Sequence, residues 1–133
     1  MLLRWRAFQA IGEWMRMPVE PGLYRSAAAH EIAHAVVGCN ADEGTLPVPA
    51  HEYVAYVVMF ATMEPGLRAR VLARFDGRGF DSPLAINTIV YVSNPLQFAA
   101  DAWRHYLRRA DGPAFLRDVV AGHVVPVFPT EGP

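Results

Sequence analysis

Proline and glycine punctuate this chain, and the segments between them carry a helical pattern. Eleven Pro and ten Gly are spread over 133 residues, and between them apolar residues recur at the three-and-four spacing of helices. Trp5, Phe8, Ile11 and Met15 form such a stripe among Arg4, Arg6, Gln9, Glu13 and Arg16, predicting a helix over Met1 to Met17 that ends in the Pro18 to Gly22 segment. A second helix is expected over Leu23 to Val37 with Gly38 as its C′ residue, then a loop from Cys39 to Ala50. A third helix, apolar all round and so buried, is expected over His51 to Met63. Leu67 to Phe75 reads as a short Arg-rich helix with Leu67, Val71 and Leu72 inward, followed by a turn-rich link over Asp76 to Pro83. Leu84 to Val92 fits either a strand or a helix. Pro95 to Arg109 is a helix with Leu96, Ala99, Ala100, Trp103, Tyr106 and Leu107 on its inner side. A last helix covers Pro113 to Ala121, and Gly122 to Pro133 reads as a loose tail. The expected fold class is mainly α, a single small helical domain over residues 1–133, with 1–22 as N-terminal helix and linker.

Composition removes several classes of function. At 53% hydrophobic and 19% charged, the chain can bury a core. A net charge of −1 gives no cationic face for nucleic acid. The single Cys39 excludes an internal disulfide framework or a Cys-rich metal cage. The longest apolar run, Tyr53 to Met63, falls short of the ~18–20 residues of a membrane span. Arg4, Arg6, Glu13 and Arg16 break up any leader-like apolar stretch, so no secretory signal is read and the default expectation is a soluble, cytoplasmic chain.

The chemistry lies in His30-Glu31-Ile32-Ala33-His34, an HExxH sequence inside the second predicted helix. Residues four apart share a helical face, so both imidazoles can converge on one Zn²⁺ at roughly 2.0–2.1 Å. Glu31 then lies beside the ion, where its carboxylate can take a proton from a water on the metal. The flanking Ala29, Ile32, Ala33, Ala35 and Val36 are uncharged, which lets this helix sit in the core with its histidines facing a cleft. The simpler reading is a pair of buried, hydrogen-bonded histidines.

His51 and Glu52, 17 and 18 positions beyond His34, open the third predicted helix and offer a further ligand. With them the chain resembles the HExxH zinc metallopeptidases of the gluzincin type, whose third ligand is a Glu on a downstream helix in an ExxA-like setting. Glu52 with Ala55 is similar to that element. LYRSAAAHEIAHAVVG and PVPAHEYVAYVV together also resemble uncharacterised bacterial HExxH proteins of unknown function. The resemblance covers about Leu23 to Met63. It implies a zincin-like helical domain with His30, His34 and Glu52 as zinc ligands, Glu31 as general base, and a small Ala55 where two helices approach. His51 is the alternative third ligand, because a three-histidine site also suits zinc; side chains of adjacent residues point about 100° apart, so one of the two would bind and the other support. Zincin peptidases also carry a β-sheet ahead of the HExxH helix, and here the 22 residues before Leu23 read as a helix instead.

The function implied is a zinc-dependent hydrolase, metallopeptidase-like, acting on a peptide or protein substrate. The alternative is a non-catalytic helical domain with a structural or vestigial metal site, whose first and third helices offer apolar surfaces for protein contact. Other residues carry less. His105 reads as structural, His123 as irrelevant to the site, and Cys39 as an inert small residue. Tyr53, Tyr56 and Tyr91 could each donate to an oxyanion or simply be core. Arg68, Arg70, Arg74 and Arg78 read as a solvated face.

Overall fold

A computed structural model describes residues 4–40 and 46–126. The order is α1 (Trp5–Ile11), β1 (Glu13–Trp14), β2 (Met17–Pro18), α2 (Pro21–Asn40), α3 (Val48–Thr62), α4 (Pro65–Leu72), a 3₁₀ turn (Pro83–Ala85), α5 (Thr88–Ser93), α6 (Pro95–Arg108) and α7 (Gly112–Val120). The fold is mainly α, as expected.

The α3 helix is the centre. Its Ala50, Tyr53, Val54, Ala55, Tyr56, Val57, Met59 and Phe60 are all buried, because α2, α5, α6 and α7 surround it. The closest pairing is with α2, which turns inward the residues Leu23, Ser26, His30, Ala33 and Val37. Those positions alternate by three and four, the spacing of one helical seam. Ala33 on α2 and Ala55 on α3 are both buried. On the other side of α3, Phe60 stacks on Trp103 at 5.9 Å, while Arg68 lies over the same indole and donates to the Phe60 carbonyl.

Several boundaries differ from the sequence expectation, each for a local reason. The first helix stops at Ile11 because Gly12 turns left-handed at φ 82°. The chain then makes an antiparallel hairpin pairing Glu13 with Pro18 and Trp14 with Met17. Met15 and Arg16 occupy its turn at φ 53° and 58°, a conformation unfavourable for side-chain-bearing residues. Met15 is fully buried, and Arg16 and Arg74 donate to each other's backbone carbonyls at 2.8 and 2.9 Å, so tertiary contacts offset the local strain. Gly38 does not end α2, which continues through Asn40, whose side-chain amide donates to the Val36 carbonyl at 2.8 Å. The third helix begins three residues early, at Val48, because Pro49 fits a first turn whose N–H groups have no helical partner anyway.

Elsewhere, capping side chains set the ends. Both Glu64 oxygens accept from Gly66 and Leu67 N–H groups, starting α4 at Pro65. Asn87 accepts from Val90 N–H, which decides Leu84 to Val92 in favour of a 3₁₀ turn followed by a helix. On α6 the inner face holds Phe98, Ala102 and His105, while Leu107, expected inward, is exposed. The tail is packed at its start, where Val125 is buried; the expectation of looseness beyond Pro126 lies outside the described residues. Among the described residues no helix is long and apolar enough to cross a membrane.

Candidate metal centre

His30 and His34 stand one turn apart in the middle of α2, and Glu52 faces them from the second turn of α3. His30 Nε2 lies 3.1 Å from Glu52 Oε2, and His34 Nε2 lies 2.9 Å from Glu52 Oε1. One ligand atom from each of the three side chains fits within 4.8 Å of the others. Ligands held about 2.1 Å from one ion in a tetrahedral arrangement are about 3.4 Å apart, so a zinc ion fits once the widest separation, no more than 4.8 Å, closes by an ångström or so. Two imidazole nitrogens and a carboxylate are also a donor set that zinc accepts, and three protein ligands leave one coordination position open.

The three side chains are well shielded, with His30 buried and Glu52 keeping 12% of its side-chain surface. A carboxylate so enclosed needs a cation or hydrogen-bond donors. Its two oxygens each face an Nε2, and both contacts are hydrogen bonds only if both imidazoles carry their proton there. A divalent cation would replace those protons and satisfy all three groups together.

The imidazoles are also fixed from behind. Their own rings meet edge to face at 4.6 Å. The Tyr56 ring covers His30 at 4.3 Å, and the His51 ring stacks on His34 at 5.8 Å. Thus α3 supplies Glu52, an aromatic backing for each histidine, and the spacing for all three. His51 sits beside the cluster, outside the group that could share an ion. Burial and the neighbouring His34 hold its imidazole below the ordinary range, against the pull of Glu52.

Glu31 is next to the cluster and open, its side chain retaining 44% of its surface. Its Oε1 lies 3.6 Å from His30 Nδ1, and among the described residues it makes no ion pair with an arginine.

The three tyrosines separate into different roles. Tyr53 is fully buried with its hydroxyl 2.6 Å from His105 Nδ1, so both belong to the core, packed around Phe115. Tyr56 is buried on His30, and burial first, then Glu52, Tyr91 and Glu31, push its hydroxyl well above its ordinary range. Tyr91, on α5, is half-buried with its ring edge-on to Phe98; burial and then Glu52 raise its hydroxyl too. Sequence reading could have favoured Tyr56 over Tyr53, because Tyr56 follows Glu52 by one turn and so shares its face.

The remaining candidates lie elsewhere. His123 is exposed, and Cys39 is exposed in the last turn of α2. The arginine series is more than a solvated face, since Arg68 and Arg74 anchor backbone carbonyls; Arg70 and Arg78 make exposed pairs with Glu20 and Asp81. Most of the α3 surface expected to serve protein contact is buried, and the exposed large apolar residues of the central pair are Ile32 and Val36 on α2 and Val48 on α3. Ahead of α2, the described strands are the two-residue pair of the hairpin, far shorter than the substrate-binding sheet of zincin peptidases.

Residues 5–128 match the model of a family of unknown function, DUF6639, and the chain belongs to that family. Neither a curated protein nor a solved structure matches it.

Proposed function

We propose that this DUF6639 member is a zinc-dependent hydrolase of metallopeptidase type, holding Zn²⁺ between His30, His34 and Glu52. The observation that carries this reading is the convergence of two Nε2 atoms and one carboxylate, with a half-open Glu31 one residue from His30. The ion, when bound, supplies a Lewis acid that acidifies water and polarises a carbonyl. The protein's own groups do the rest. Glu31 takes the proton of the attacking water and returns it to the departing nitrogen of a peptide bond. Tyr56 and His51 hold the two imidazoles in place, as the outer partners of metal-bound histidines do.

One observation favours the structural-site alternative. The Glu31 carboxylate leans toward His30 Nδ1 at 3.6 Å, where it could orient the ring without moving a proton in catalysis. Glu31→Gln separates the two roles. A general base is needed for turnover and not for holding the ion, so the variant should keep its zinc and lose peptide cleavage by at least about a hundredfold. Cleavage at the wild-type rate would remove Glu31 from the reaction. Lower zinc content and melting temperature in the same variant would make the site structural.

A further inference from the structure

The α2–α3 pair carries an apolar groove that the metal centre does not use. Ile32 and Val36 of α2, Val54 and Val58 of α3 and Val120 of α7 line a cavity of about 430 Å³ there. Ile32 and Val36 are 61% and 55% exposed while Val54 is buried, so the groove is apolar from its open edge to its base. Water-facing side chains of this size side by side on one helix are a mark of a contact surface. The groove continues in both directions. Ala29 and Thr62 also line a depression that reaches Arg25, and Asn40 and Val120 line one that reaches Arg117. At 1.5 Å per residue, Arg25 and Asn40 lie about 22 Å apart along α2. Ala29 and Ala33 each precede a candidate metal ligand by one residue, so this face is turned about 100° away from the metal centre.

Charge says what covers it. Arg25 and Arg117 stand exposed at the two ends, and among the described residues neither guanidinium makes a hydrogen bond or an ion pair. Glu64, the carboxylate at the Arg25 end, is held by the Gly66 and Leu67 N–H groups it caps. A second copy fits this pattern badly. Packing α2 on α2 about a two-fold axis runs the helices antiparallel and sets Arg25 of each copy against the Arg117 end of the other, like charge on like. An extended strand finds no open sheet edge to join, because helices line the groove. We propose that the groove docks a helix of a different protein, about 15 residues or longer, apolar on one face and acidic at both ends. Its apolar stripe meets Ile32, Val36 and Val58, and its carboxylates meet Arg25 and Arg117, which fix its register. No candidate metal ligand lines this surface, and neither does Glu31, so it stands apart from the hydrolase reading.

The probe is a synthetic helical peptide of about 18 residues, roughly 27 Å long, with leucine at every third or fourth position and two glutamates at each end. It is titrated into the ¹⁵N-labelled full chain, beside a twin carrying lysines in place of the glutamates. The glutamate peptide should shift the amide signals of Ile32, Val36 and Val58 and saturate. The lysine peptide should bind at least about tenfold more weakly at low salt, with the gap closing near 0.5 M salt. The chain has a net charge of −1, so overall attraction does not produce that preference. Val36→Asp, at an exposed position, should melt near wild type and abolish the shifts. Arg25→Glu combined with Arg117→Glu should reverse the preference between the two peptides. Equal binding of both peptides to wild type, or no saturable shift at millimolar glutamate peptide, would overturn the proposal. A concentration-dependent dimer that Val36→Asp abolishes would overturn it too, by giving the groove to a second copy. So would dodecanoate shifting the same signals where the glutamate peptide does not, since the groove would then hold an acyl chain.

Discussion

At the scale of single residues, the protein separates its histidines by what faces their nitrogens. His30 and His34 face the Glu52 carboxylate. His105 faces the Tyr53 hydroxyl inside the core. The hydroxyl and Nδ1 share one hydrogen bond at 2.6 Å, its direction following the imidazole tautomer. Burial, helped by Arg109 and Arg108, holds the His105 imidazole below its ordinary value of 6.5. The folded state therefore binds fewer protons than the unfolded chain below that pH, and its stability must fall as pH drops through and below 6.5. An NMR titration of His105 should show a midpoint under 6.5; a midpoint at or above it would contradict the assignment. Tyr53→Phe leaves a buried Nδ1 without a partner and should cost about 1–3 kcal/mol, read as a lower urea midpoint at unchanged slope.

At the scale of elements, the motif helix was readable and its surroundings were not. Four-residue spacing is local information, so His30, Glu31 and His34 could be placed on one helix from the chain alone. Glu52 and His51 were both candidates from the chain, and the preference for Glu52 came only by resemblance, because the convergence of α2 and α3 is a long-range contact that local spacing does not encode. The hairpin after α1 was hidden for another reason. Trp5, Phe8, Ile11 and Met15 fit a helix, and what overrides that pattern is an exchange between Arg16 and Arg74, 58 positions apart. The link before α5 holds a similar long-range constraint. Gly79 sits at φ +94°, and a Cβ there would lie 2.7 Å from Arg104 Cβ and from the His105 backbone nitrogen. Neither the conformation nor the space admits a side chain. Gly79→Ala should destabilise the fold by about 2–3 kcal/mol, a fall of roughly 10 °C in melting temperature. A melting temperature within a degree of wild type would show that the loop can leave α6.

At the scale of the whole molecule, the three candidate ligands join the two helices that form its centre. An ion bound by two residues of α2 and one of α3 binds the folded chain far better than the unfolded one, so its binding free energy adds to stability. A site of this kind should therefore be visible in both composition and melting. The most direct measurement is the zinc content of the purified full chain and of His34→Ala, with melting temperatures before and after chelation. Wild type is expected to carry about one zinc per chain and to melt several degrees lower once chelated, while His34→Ala carries none and is indifferent to the chelator. Wild-type protein that stays free of zinc in excess metal, with an unchanged melting temperature, would contradict the metal centre and the hydrolase built on it.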